Sequence, residues 1–107
     1  MKGRDVFVAL ADPTRREILA LLRDAGALNA GAIAEQFRGV TRPAISRHLR
    51  VLRECGVVRA AFAGRENVYR LDAAPLIEAR DRWLASFTAG HGRSLRALRR
   101  RAETPRR

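Results

Sequence analysis

The sequence predicts a mainly α fold with a small β-hairpin, arranged as a winged helix-turn-helix. Three observations carry this. A short apolar helix is followed by Arg38-Gly39-Val40 and then by an arginine-rich amphipathic helix starting at Thr41. Two helices joined by a short glycine-containing turn form a helix-turn-helix. An alternating apolar segment with a glycine turn, Val57 to Leu71, comes directly after it and reads as a hairpin. The chain has 107 residues, enough for one domain of this kind.

Val6, Phe7 and Leu10 give one or two helical turns at the start. Asp12 before Pro13 is an N-cap followed by proline at the first helical position. Ile18, Leu19, Leu21 and Leu22 then supply an apolar face, and Gly26 is the expected stop. Asn29 is an N-cap for a short helix, Ala30 to Phe37, that turns Ile33, Ala34 and Phe37 inward. Thr41 caps the next helix, Pro43 falls in its first turn, and the helix runs to Cys55 and Gly56. Val57, Val58, Ala60 and Phe62 form one strand, Ala63 to Glu66 the turn, and Asn67 to Leu71 the return. Asp72 and Pro75 open a last helix bearing Leu76, Ile77, Ala79, Trp83, Leu84 and Phe87. Gly90-His91-Gly92 interrupts it, and an arginine-rich tail follows. The expected organisation is a folded part at 1–89 and a basic tail at 90–107, partly helical or disordered.

Charge narrows the function. Lys and Arg total 22 against 11 acids, a net +11. This points to a polyanion, nucleic acid first and an anionic membrane surface second. No apolar run approaches the roughly 20 residues of a membrane span. The start of the chain does not read as a signal peptide, and the single Cys55 forms no internal disulfide. A cytoplasmic protein is expected.

On a helical wheel from Thr41 to Cys55, one side holds Ala44, Ile45, His48, Leu49, Val51, Leu52 and Cys55. The other holds Arg42, Ser46, Arg47, Arg50, Arg53 and Glu54. An α-helix fits the major groove of B-DNA, and arginine can bond guanine O6 and N7 together. Arg42, Ser46 and Arg47 are therefore expected at base edges, Arg50 and Arg53 at phosphates, and Thr41 with the helix N-terminus at a backbone phosphate. Arg65 at the hairpin tip is expected at the minor groove or a phosphate, with Asn67 and Tyr69 bonding the backbone. His48 and Cys55 read as structural. No catalytic constellation or phosphate-binding glycine loop is present, so no enzyme is expected. The alternative function is a protein-interaction or antitoxin-like module on the same scaffold.

Three segments, Ala9–Leu19, Thr41–Val58 and Gly64–Leu71, resemble in order and spacing the ArsR-type winged-helix repressors. The Pro75-Leu76 to Trp83-Leu84 segment is similar to the metal-independent, SdpR-like branch. The resemblance implies a homodimer on an imperfect inverted repeat of double-stranded DNA, dimerising through its first and last helices. The implied interface is Phe7, Leu10, Leu76, Trp83, Leu84 and Phe87. The stretch where metal sensors of the family carry Cys-x-Cys is here Leu28 to Ala32, without Cys or His. Asp81 and His91 lack the paired spacing of the other metal type, so no metal or cofactor is expected.

Overall fold

The computed structural model describes residues 5–88 and Arg99. The elements in order are α1 (Val6–Leu10), α2 (Pro13–Ala25), β1 (Ala27–Asn29), α3 (Ala30–Glu35), α4 (Arg42–Glu54), β2 (Val58–Ala63), β3 (Glu66–Leu71) and α5 (Ala74–Thr88). The chain divides into two compact units, Met1–Leu76 and Ile77–Arg107. The first holds the helix-turn-helix and the sheet. The second begins within α5, and the expected break at Gly90-His91-Gly92 and the tail lie outside the described residues apart from Arg99.

The helix starts are fixed by side-chain acceptors, as the sequence predicts. Asp12 accepts from the Arg15 N–H at 3.1 Å, Asn29 from Ala32 at 2.7 Å and Thr41 from Ala44 at 3.2 Å. Each satisfies an amide that the helix itself leaves unpaired. At the end of α2 the Gly26 N–H reaches Leu22 O at 3.0 Å. The turn between α3 and α4 contains Gly39 at φ +80°, a left-handed conformation that costs glycine nothing. α3 ends at Glu35, earlier than the expected Phe37.

The sequence predicts a two-stranded hairpin; the structure adds a strand. The sheet has three antiparallel strands in the order β1-β3-β2. Ala27, Leu28 and Asn29, where the sequence assigns only a helix cap at Asn29, pair with Arg70, Tyr69 and Val68. Three residues are too few to display a period-two pattern. Their backbone groups become strand only because β3 lies alongside and offers partners.

The core forms where α2, α3 and α4 turn their apolar faces together over the root of the sheet. Ile18, Leu22, Ile33, Ile45, Leu49, Leu52 and Val57 are fully buried. Leu10, Leu28, Tyr69, Leu71 and Leu76 pack against this cluster from its edges.

Candidate nucleic-acid interface

Helix α4 divides as the wheel predicts. Ile45, Leu49 and Leu52 are buried, while Thr41, Arg42, Ser46, Arg47, Arg50 and Arg53 are exposed. One face fixes the helix to the domain and the other presents cations and a hydroxyl to solvent. Arg42 differs in detail from its neighbours, because its guanidinium folds back over α3. A methyl group added at Gly31 would lie 3.4 Å from Arg42 Nη2.

The orientation of α4 is set by a polar cluster at its inner edge. Arg15 of α2 donates to Val8 O at 2.8 Å and Ala9 O at 3.3 Å, closing the end of α1. Its Nη1 lies 3.3 Å from Nδ1 of His48 on α4. A guanidinium only donates, so Nδ1 accepts and the ring turns Nε2 toward Asp12 Oδ2, 3.9 Å away. His48 thus ties the cationic helix to the start of α2, a structural role as expected. Cys55 is likewise buried, and its thiol donates to Asp5 O at 3.3 Å.

The wing is β2, β3 and the Gly64-Arg65 turn, where Gly64 takes φ +68°. Arg65 and Asn67 are exposed near its tip. Tyr69, expected to reach DNA, is half-buried and packs on the core at the wing's root, opposite Leu28. Register explains the difference. Val58, Ala60 and Phe62 share a face of the hairpin with their partners Leu71, Tyr69 and Asn67. The two pairs nearest the core are covered, and the last is exposed. A groove of about 380 Å³ runs between α4 and β2, lined by Arg50, Arg53, Glu54, Val58, Arg59 and Ala60. Arg59 was not singled out from the sequence. Its position beside α4 depends on how β2 packs, and no local motif marks it.

Of the residues assigned to a subunit interface, Leu10 and Leu76 are half-buried against the core of the first unit. Phe7 is exposed on α1. In the second unit Trp83, Leu84 and Phe87 are exposed together with Ile77. Trp83 and Phe87 meet edge to face, with centroids 5.0 Å apart.

A helix-turn-helix domain family model matches residues 10–60. Transcriptional repressor SdpR of Bacillus subtilis is 39% identical over 83 residues, covering 78% of this chain and 89% of that protein. The solved ArsR-like transcriptional regulator from Rhodococcus sp. RHA1 is 39% identical, with a TM-score of 0.75, and covers 94% of this chain and 90% of that one. The chain belongs to the ArsR family. These relatives are named as transcriptional regulators, and the domain they share with this chain is a DNA-binding helix-turn-helix, not an enzyme fold.

The ArsR family includes metal sensors. The cadmium metal-sensor CmtR of Mycobacterium tuberculosis is 42% identical in its solved structure, with a TM-score of 0.54, and covers 65% of this chain and 71% of that one. In the ArsR chain described here, no group of three or more His, Cys, Asp or Glu that could hold a metal ion occurs among the described residues. No helix among them is long and apolar enough to cross a membrane.

Three carboxylates among the described residues of this ArsR fold are held below the usual value of 3.8: Asp12, Asp24, which accepts from Arg23, and Asp72. At Asp12 burial opposes the shift, and the Arg15 N–H together with the Arg15 charge outweighs it. At Asp72 the Arg59 guanidinium, at 2.7 Å, and the Ala74 N–H act together. A carboxylate depressed in the fold adds stability above its unfolded value and loses it as pH falls through the folded one. Asp12→Asn, which keeps a good cap, is therefore expected to melt below the wild type at pH 6. The two should converge as pH drops below 3.8. Parallel melting curves at every pH would contradict the Asp12 assignment.

Proposed function

We propose that the protein is a cytoplasmic, homodimeric transcriptional repressor that binds an inverted repeat in double-stranded DNA. The observation that carries this is the solvent-facing side of α4, with Ser46, Arg47, Arg50 and Arg53 exposed on a helix whose other side is locked in the core. In this reading Ser46 and Arg47 meet base edges in the major groove. Arg42 shares that end of the helix. Arg50, Arg53 and the capped N-terminus at Thr41 meet phosphates, which set register without selecting sequence. Arg65 and Asn67 carry the wing to the neighbouring groove, with Tyr69 holding its root.

The dimer forms through α1 and α5, using Phe7, Leu10, Leu76, Trp83, Leu84 and Phe87. Pairing places two copies of α4 about one DNA turn apart, ~34 Å. Residues 1–89 make up this functional domain, and 90–107 add a basic tail. The tail's arginines contribute attraction that does not depend on sequence.

Selection of bound fragments from genomic DNA by the purified protein tests the proposal. A symmetric motif with half-sites one turn apart is the expected result. In the same assay Arg47→Ala should lose roughly 1–3 kcal/mol of discrimination at one base pair per half-site. Failure to retain any duplex at physiological salt would favour the protein-interaction module instead. An unchanged motif with Arg47→Ala would remove this arginine from the groove floor.

A further inference from the structure

Phe62 is 76% exposed, more than any other large hydrophobic among the described residues. It stands on β2 one residue before the Ala63-Gly64-Arg65 tip, with Asn67 directly opposite on β3. Val58 and Ala60 precede it on the same face of the strand, and both line the groove beside Arg50 and Arg53 of α4. Phe62 therefore continues the wing's inner wall outward, past the point where the core can cover it. It belongs neither to the buried cluster nor to the side chains packed against that cluster. A phenyl ring left in water at the end of a hairpin gains nothing for the fold.

We propose that Phe62 is a DNA-contacting residue, an apolar wedge that packs on the deoxyribose wall of the minor groove beside the major groove read by α4. This rests on the DNA-binding reading above and adds a contact that reading does not contain. Three chemistries meet at the wing's end. The Phe62 ring is apolar, the Asn67 amide donates and accepts, and Arg65 is cationic. The minor groove presents the matching set: sugar faces on its walls, purine N3 and thymine O2 acceptors on its floor, and phosphates at its rim. Proteins that enter the minor groove frequently place apolar side chains there, in their case between base steps. Phe62 shares its face with Val58 and Ala60, and the groove beside α4 is lined from this strand by Val58, Arg59 and Ala60, so the ring stands on the strand that borders the cationic groove. A duplex strand passing between α4 and the wing would meet Arg50 and Arg53 on one side and the outer end of the wing, with the exposed Phe62 ring, on the other. The strong positive balance of the chain, +11, favours a polyanion over a second copy as the occupant.

The test separates an apolar contact from an ionic one. The probe is a duplex selected by the wild-type protein from genomic fragments, and its affinity is read by fluorescence anisotropy across a salt series. Phe62→Ala should bind roughly tenfold more weakly at every salt concentration. The slope of log affinity against log salt should stay at the wild-type value, because no phosphate contact is lost. Arg65→Ala should reduce that slope by about one. Phe62→Leu should recover part of the affinity. All variants should melt with the wild type, since the ring supports no core contact. Wild-type affinity in Phe62→Ala would overturn the proposal and leave the DNA-binding reading intact. Loss of the dimer in sedimentation of Phe62→Ala would overturn it too, by showing that a second copy covers the ring. A wild type that retains no duplex would remove the DNA-binding reading, and the wedge with it.

Discussion

In the proposed dimer, Leu84→Glu should leave only monomer and weaken binding to an inverted-repeat duplex by about a hundred- to ten-thousand-fold. The argument begins with α5. Ile77, Leu84, Phe87 and Trp83 fall within about 120° of one another at 100° per residue, and all are exposed. A stripe of this kind on a helix is a face that expects a partner. Leu84 lies between Ile77 and Phe87 on that stripe, so a carboxylate there would be buried without a counter-charge in a paired helix. Within the subunit Leu84 is 48% exposed, so the folded monomer tolerates the change. The loss at DNA follows because two linked half-site contacts become independent ones. Sedimentation equilibrium with the wild type and the variant, together with gel-shift on a symmetric and a half-site duplex, checks both steps. A Leu84→Glu protein that remains dimeric would place the interface elsewhere.

Leu52→Ala should destabilise the domain by about 2–5 kcal/mol, lowering the melting temperature by roughly 10 °C or more. Leu52 is fully buried on α4, one turn from Leu49 and two from Ile45 on the same inward side. Removing three methyl-sized groups there leaves a cavity among helices that meet from three directions, and such a site collapses poorly. The predicted loss is a large share of the 5–15 kcal/mol that ordinarily holds a small domain together. It also bears on function, because Leu52 is part of what keeps the arginine face of α4 outward. Urea titration followed by circular dichroism gives the value. A change below 1 kcal/mol would mean that the α4 face is less tightly packed than its burial indicates.

Much of the site is legible in the chain because its signals are local. Asp12, Asn29 and Thr41 name the helix starts, and each does accept the expected backbone N–H. The period of α4 assigns Arg47, Arg50 and Arg53 to one side and Leu49 and Leu52 to the other. Those assignments need only a helix and a core, and 3.6-residue periodicity supplies both. Glycine at 39 and 64 marks the two turns for the same local reason, and both adopt positive φ.

Other features depend on partners far along the chain. The wing shows this most clearly. Alternation marks two strands, but whether Tyr69 or Phe62 is covered depends on how far the core extends beneath them. The core ends between the Ala60–Tyr69 and Phe62–Asn67 pairs, so the tyrosine is half-buried against the core and the phenylalanine stands in solvent. The contact of Arg15 with His48 spans 33 residues, and no spacing rule connects them.

The helices, their caps, the wing turn and the cationic side of α4 can be read from the order of residues, since each follows from neighbours within a turn or two. That Ala27–Asn29 is a strand, that Arg42 folds over Gly31, and that Phe62 stands in solvent while Tyr69 on the same face is half-buried all wait on tertiary packing. These outcomes rest on which backbone groups and apolar surfaces meet after the chain closes, and such meetings carry no periodic mark in the order of residues.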